Sequence, residues 1–301
     1  MKRRGLLGWL GLATVGLAGA LVAACSPLSA FNALVPKDEA GAITRNVAYG
    51  SLPRQRLDIY APPGGSTRAP VLVFVHGGSW ATGSKNGYGW AARALAARGY
   101  LAILPDYRLV PEGRYPAFVE DVALAIAWAH ANASEFGGDP DRLAVAGHSA
   151  GAYNGLQAVL APEFLQAAGT DPAVVDALVN LSGPTDFLPL DTKASINAFG
   201  HLGEDALAAT QPVNRLGSNA PPILTVHGTA DTTVEPRHAR ALDRVAGERG
   251  VRHELHLLEG VNHRDVVLGL SRPFRDRVPT LDLIDAFLRD VLGNEAPAGR
   301  S

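Results

Sequence analysis

The sequence predicts an α/β fold, a doubly wound and mostly parallel sheet of eight strands with helices on both faces and a small cap segment. Three observations predict it. Val-rich strand-like runs alternate with amphipathic helical runs along most of the chain, the pattern of a parallel sheet covered on two sides. Turns carrying chemically capable side chains follow those strand-like runs, where open α/β sheets bind ligands. Finally, 301 residues that are 47% hydrophobic and 19% charged supply the core of one large domain.

The elements follow in order. ITRNVAYG (43–50) and RLDIYAPP (56–63) read as an opening antiparallel pair. VLVFVHGG from Val71 is a continuous apolar run, as a strand buried on both faces requires. WAARALAARGY reads as a helix stopped by Gly99, followed by the strand LAILPDYR. Residues 117–136 set Val119, Val122, Ile126 and Ala129 on one helical face, between Pro116 and the pair Gly137–Gly138. RLAVAG, VDALVNLSG, PILTVHG and RHELHLL supply four further strands. TLDLIDAFLRDVL closes the domain with apolar residues at helical spacing, giving a domain from 43 to 292. The tail, 293–301, reads as disordered.

The first 42 residues read as targeting rather than fold. Lys2, Arg3 and Arg4 precede an uncharged Gly/Ala-rich run over residues 5–24 that ends in small residues before Cys25. That is the layout of an export signal. The ending LVAAC resembles the lipobox of bacterial lipoproteins, which implies diacylation of Cys25. On that reading the chain is an exported protein of the bacterial cell envelope, held to a lipid bilayer through a tether of residues 25–42. KRRGLLG also resembles a twin-arginine signal, so the export route stays open. Cys25 is the only cysteine, so no disulfide within the chain can support the fold. The net charge of −2 and the absence of basic clusters beyond the N-terminus exclude an electrostatic case for nucleic acid.

Chemistry concentrates at LAVAGHSAGAYNG (143–155), in which Gly147, Ser149 and Gly151 fit G-x-S-x-G. Five residues with three fixed are a cheap match, so context decides. A strand precedes Ser149 and a helical pattern follows it, the setting of a nucleophile elbow. Small residues at 147 and 151 let a sharp turn approach neighbouring chain. A serine needs a base and a group to orient that base. His263 follows the RHELHLL strand and Asp231 follows PILTVHG, in the order Ser, Asp, His that this architecture uses. His263 is expected to serve as base and then acid, and Asp231 to fix its tautomer. Glu235 and Asp186 are rival carboxylates. Gly77 and Gly78 in HGGSW, with Ala150, are expected to offer backbone N–H groups to an oxyanion. His76, His148 and His227 read as loop supports. The histidines show no metal-ligand spacing, and neither a metal nor a cofactor is expected.

Taken together, HGGSW, DYRLVPEGRYPAF, GGDPDRLAVAGHSAGA, HGTAD and NH resemble the esterase/lipase branch of the α/β-hydrolase superfamily. The feruloyl/acetyl-esterase-like and arylformamidase-like proteins are the nearest in pattern. The resemblance implies a serine carboxylesterase acting through an acyl-enzyme on short-chain acyl or small aromatic esters. Arylformamidase-type cleavage of an activated amide is the alternative, and a non-catalytic envelope binding protein on the same fold is a remote one. Ser79 stands where the hormone-sensitive-lipase-like branch has a third glycine. Residues 186–219 are the candidate cap, and Trp80, Tyr107, Tyr153 and Phe187 are candidates to line the pocket.

Overall fold

Alternation of side chains along the central strands sets the architecture. In the computed structural model, which describes residues 27–293, β3 (Ala69–Val75) sends Val71, Val73 and Val75 into one core and Leu72 and Phe74 into another. A strand whose two faces are both apolar needs helices on both sides. The first core is completed by α3 (Ala117–Asn132) and α4 (Ala150–Leu160), and the second by α2 (Gly89–Ala97) and α11 (Thr280–Leu292).

The sheet has eight strands in the order β1-β2-β4-β3-β5-β6-β7-β8. Strands β1 (Ile43–Ala48), β2 (Arg56–Tyr60) and β4 (Leu101–Pro105) pair antiparallel at one edge. The remaining pairs are parallel: β3 with β4, then β3 through β5 (Gly138–His148), β6 (Ala177–Leu181), β7 (Ile223–Gly228) and β8 (His253–Leu258). Val75 lies opposite Gly147, His148 opposite Leu181, and His227 opposite Leu257. The loops after β3, β5, β7 and β8 therefore leave the sheet from one end. That is the carboxyl end expected to hold a ligand.

The predicted elements are present, with shifted boundaries. Strand β5 begins at Gly138, before the expected RLAVAG, because Gly138 and Asp139 pair with Ala69 and Pro70 ahead of a register shift. Pro140, which has no N–H, sits at that irregularity. Helix α3 ends at Asn132 and continues as a 3₁₀ turn, Ala133–Phe136, before Gly137 turns at a φ of 84°. In the expected cap, residues 186–219, the chain forms three short helices: α6 (Lys193–Phe199), α7 (Glu204–Ala209) and α8 (Pro212–Arg215). The short helices α5 (Glu163–Ala167) and α10 (His263–Leu268) and the longer α9 (Arg237–Arg249), which crosses from β7 to β8, complete the set.

Within residues 25–42, the expected tether, Pro27–Leu34 forms α1, which packs on the domain. Phe31 meets Trp90 edge-on at 5.3 Å and Phe274 at 6.4 Å, and Val35 is buried. The Asn32 side chain donates to the Asn86 carbonyl at 2.8 Å and accepts from the Trp90 amide at 3.0 Å. Arg275 pairs with Asp38 at 2.5 Å. Phe31 and Val35 are four residues apart, so they share a helical face. The signal residues 1–24, Cys25 and the tail from 294 lie outside the described residues. Among the described residues no helix is long and apolar enough to cross a membrane.

Phe31→Ala is expected to lower the melting temperature by about 3–6 °C, a loss of one aromatic contact from a large domain. Differential scanning calorimetry checks it. An unchanged melting temperature would mean that α1 does not stay docked in solution.

Candidate active site

Ser149 occupies the single residue between β5 and α4, with φ 57° and ψ −125°. A side chain at positive φ is disfavoured, so the surroundings must impose this turn. They do so by contact. A Cβ on Gly151 would lie 2.2 Å from the Val75 carbonyl oxygen, and one on Gly147 would lie 2.5 Å from the Gly151 carbonyl group. The Ser149 amide donates to the Leu181 carbonyl at 2.8 Å, which pins the turn to β6. Ser149 itself is nearly buried, with 8% of its surface exposed. Helix α4 starts at the next residue, so its N-terminal amides face the same end of the sheet.

The loops after β7 and β8 bring the candidate acid and base together. His263 begins α10, where the Asn262 side chain accepts from the Arg264 and Asp265 amides and caps the helix. The His263 Nδ1–H donates to Asp231 Oδ2 at 2.7 Å. That assignment leaves Nε2 as the ring's acceptor. Asp231 Oδ1 accepts from the Thr233 and Val234 amides, each at 2.9 Å. Burial pushes the Asp231 carboxyl up, but hydrogen bonds from His227, His263 and Val234 outweigh it and hold the group well below the usual carboxylate range. Of these, the His227 contact is secondary: its Nε2 lies 2.8 Å from the Val234 carbonyl and 3.4 Å from Asp231. The rival Glu235 is exposed and pairs with Arg237, and the Asp186 amide faces His238. Neither touches His263.

The candidate oxyanion donors need one revision. The Gly77 amide donates to the Tyr88 hydroxyl at 3.3 Å, so it does not face the nucleophile as a free donor. The amides of Gly78, Ser79 and Ala150 have no partner among the described residues. The loop holds φ values of 134° at Gly78, 52° at Ser79 and 58° at Trp80, and the Ala81 and Thr82 amides both close on the Gly78 carbonyl. Backbone strain of this kind persists only where the surroundings over-determine it. A Cβ on Gly77 would lie 3.2 Å from the Ser149 Cβ, so this loop rests directly on the elbow. His76 braces the loop as expected: its Nδ1 meets the Gly77 carbonyl at 2.8 Å and its ring stacks on Tyr107 at 4.4 Å.

The four candidate pocket residues are core, and they fall into two groups. Tyr107 lies beneath the loop after β3, its hydroxyl donating to the His76 carbonyl at 2.9 Å, so it does not line a pocket. Trp80, Tyr153 and Phe187 join Phe118 and Phe199 in an aromatic cluster. Trp80 meets Tyr153 at 5.4 Å and Phe199 at 5.1 Å, both edge-on, and Tyr153 meets Phe187 at 5.5 Å. The Trp80 indole N–H donates to Asn154 Oδ1 at 3.0 Å and the Tyr153 hydroxyl donates to the Thr210 carbonyl at 2.9 Å. Among the described residues no group of three or more His, Cys, Asp and Glu side chains could hold a metal ion. Sequence reasoning missed Tyr88 and the Ser79 amide. Nothing in SKNGYGW marks Tyr88, whose partners are remote in the chain. The Ser79 amide is exposed as a donor only by the turn it sits in.

An eight-stranded, mostly parallel sheet with these loops at its carboxyl end is the α/β-hydrolase fold. Residues 57–245, more than half of the chain, match the family model described as BD-FAE, and the chain belongs to that family. It is similar to Esterase LipC of Mycobacterium tuberculosis, 36% identical over 215 residues that cover 65% of this chain and 53% of that protein. It is also similar to the probable isoprenylcysteine alpha-carbonyl methylesterase ICMEL1 of Oryza sativa subsp. japonica, 32% identical over 249 residues covering 75% of this chain and 58% of that one. The chain thus spans little more than half the length of these curated relatives. Among solved structures, the propionate-bound thermophilic esterase Est2 of Thermogutta terrifontis is 26% identical with a TM-score of 0.70, over 88% of this chain and 98% of that one. The homologues are carboxylic ester hydrolases.

Two outcomes follow from this geometry. Gly151→Ala is expected to cost at least about 3 kcal/mol or to prevent folding, because the added methyl meets backbone that cannot yield; urea unfolding measures it. Burial depresses the pKa of His148 to about 3 and of His238 to about 4. Between those values and the ordinary value of about 6.5 the unfolded chain binds more protons, so stability falls as the pH falls through that window. His148 alone is expected to remove on the order of 2 kcal/mol between pH 7 and pH 5. Urea titrations across this range should therefore flatten in His148→Gln, and an identical slope in the variant would refute the assignment.

Proposed function

We propose that the protein is a serine carboxylesterase that hydrolyses short-chain acyl or small aromatic esters through an acyl-enzyme. The observation that carries the reading is the 2.7 Å contact of His263 Nδ1 with the buried Asp231, at the end of the sheet where Ser149 holds its strained turn. In this mechanism the Ser149 hydroxyl attacks the ester carbonyl while His263 Nε2 takes its proton. Asp231 keeps the imidazole in the Nδ1–H tautomer and stabilises the imidazolium. The tetrahedral anion rests on the amides of Gly78, Ser79 and Ala150. His263 then protonates the leaving alkoxide, and a water activated by the same imidazole releases the acid and restores the serine.

The aromatic cluster supports the restriction to small acyl groups. Trp80 belongs to the oxyanion loop and Tyr153 stands one helical turn after Ser149, and both side chains are already packed against Phe187 and Phe199. These rings, held in place by Asn154 and Thr210, extend from the elements that flank Ser149, which favours a restricted acyl site. The names of the relatives agree with ester hydrolysis in general and differ in substrate.

The N-terminal sequence supports a further part of the proposal, that the enzyme is exported and anchored in the cell envelope through acylated Cys25. Radioactive fatty acid should label the full-length protein and not Cys25→Ala. Export without label would reject the anchor.

Activity is tested with p-nitrophenyl esters of increasing acyl length. Acetate and butyrate esters are expected to be turned over, decanoate about 100-fold less efficiently, and Ser149→Ala is expected to lose at least about 10³-fold on all of them. Activity surviving in Ser149→Ala would end the mechanism, and a preference for decanoate would end the small-acyl assignment.

A further inference from the structure

A hydrogen-bonded chain runs behind the candidate site and joins three of the four segments that form it, those after β3, at the end of β5 and after β8. The Gly77 amide lies 3.3 Å from the Tyr88 hydroxyl, that hydroxyl lies 3.1 Å from His148 Nδ1, and His148 Nε2 lies 3.1 Å from the carbonyl oxygen of His263. The two ends fix the direction of every link. An amide can only donate and a carbonyl can only accept. Tyr88 must therefore accept from Gly77 and pass its own hydrogen to His148 Nδ1, which makes His148 the Nε2–H tautomer, donating to His263. No donor or acceptor in the chain is left over.

Its members are buried and specialised. Tyr88 is 1% exposed and burial pushes its pKa up to about 12, so it keeps the hydrogen it donates. His148 is 5% exposed, and its ring lies 4.9 Å from that of His263. Burial, then the neighbouring His263, depress its pKa to about 3, so it stays neutral where an ester hydrolase of this kind works. The arrangement also explains why the Gly77 amide is turned away from the nucleophile. With that peptide held by Tyr88, the next two amides, Gly78 and Ser79, are left without partners.

We propose that Tyr88 and His148 are positioning residues, a two-member wire that holds the oxyanion loop and the main chain of His263 in register with the Ser149 elbow. The inference rests on the reading of Ser149, His263 and Asp231 given above. Neither residue touches the reacting atoms. Their effect is on distance, and misplacement of about 1 Å in such a site costs on the order of 100-fold in rate.

The test is a double-mutant cycle read as kcat and KM on p-nitrophenyl acetate. Tyr88→Phe keeps the ring and removes the hydroxyl, and His148→Leu removes both links. Each is expected to lower kcat about 10- to 100-fold while KM changes less than about threefold. The double variant is expected to be no worse than the poorer single variant, since either change breaks the same wire. His148→Gln, whose amide can accept from Tyr88 and donate to His263, is expected to recover kcat to within about fivefold of the wild type. Unchanged kcat in Tyr88→Phe, losses that multiply in the double variant, or a Gln variant no better than Leu would each overturn the proposal. Should Tyr88→Phe fail to fold, the comparison of Leu with Gln at 148 decides it. A wild type that neither turns over the ester nor is labelled at Ser149 by a phosphonate would refute the esterase reading instead. In that event nitrogen-15 NMR of the histidines still reads the wire: neutral, Nε2-protonated His148 at pH 5 supports it, and an Nδ1–H tautomer or an imidazolium overturns it.

Discussion

The site depends on one steric constraint, the near-contact of Gly151 with the backbone at the end of β3. A Cβ at that position would sit 2.2 Å from the Val75 carbonyl oxygen and 2.4 Å from that of His76. Because nothing but hydrogen fills this space, α4 can start immediately beside the neighbouring strand, and the chain must reverse within one residue. Ser149 is that residue, and its φ of 57° is the consequence. The same closeness brings the loop after β3 against the elbow, with Gly77 beside the Ser149 Cβ. The Ser149 elbow and the loop that carries the free Gly78 and Ser79 amides are thus set by one contact between two adjacent strands, and the strain is borne by the β3–β5 pairing and the two cores on either side of it.

The electrostatics follow from how little water reaches this end of the sheet. Asp231 would be costly to bury as a lone carboxylate, and its cost is offset by two amides and an imidazole. This makes it a fixed negative charge at the position where a positive imidazolium would form. His148 has the opposite solution. Among the described residues it has no carboxylate partner within hydrogen-bond reach, and burial favours its neutral form, which acts through hydrogen bonds. Two histidines with rings 4.9 Å apart are thereby given different duties by their neighbours. A single carboxylate, reached by His263 and not by His148, separates them.

Much of this was legible in the sequence, for reasons that differ by feature. The alternation within VLVFV exposes a strand buried on two faces, and the glycines at 147 and 151 expose the elbow, because a missing side chain is itself a statement about space. Asp231 and His263 were readable from chain order and strand ends. The failures are equally physical. Gly77 reads as an oxyanion donor until Tyr88 is seen to occupy its amide, a contact between residues 11 apart with no periodic signature. Tyr107 reads as a pocket residue because aromatic rings serve pockets and cores alike, and only its place beneath the loop after β3 separates the two. Helix α1 carries little signal in the sequence because Phe31 and Val35 span only about one turn, too short a run to mark a helix without the Trp90 surface it covers.

The docking of α1 ties the N-terminal part of the described chain to the segment that supplies Tyr88. Its side of the fold is the one that carries Trp90 and Phe274, which follow the loops of Tyr88 and His263 respectively. The contacts of Asn32 with Asn86 and Trp90 continue directly into the segment that supplies Tyr88. Helix α1 is therefore docked next to the start of α2, which Tyr88 immediately precedes, rather than at the far end of the sheet. Loss of these contacts would bear first on the start of α2 and, through Tyr88, on the hydroxyl that holds the Gly77 amide.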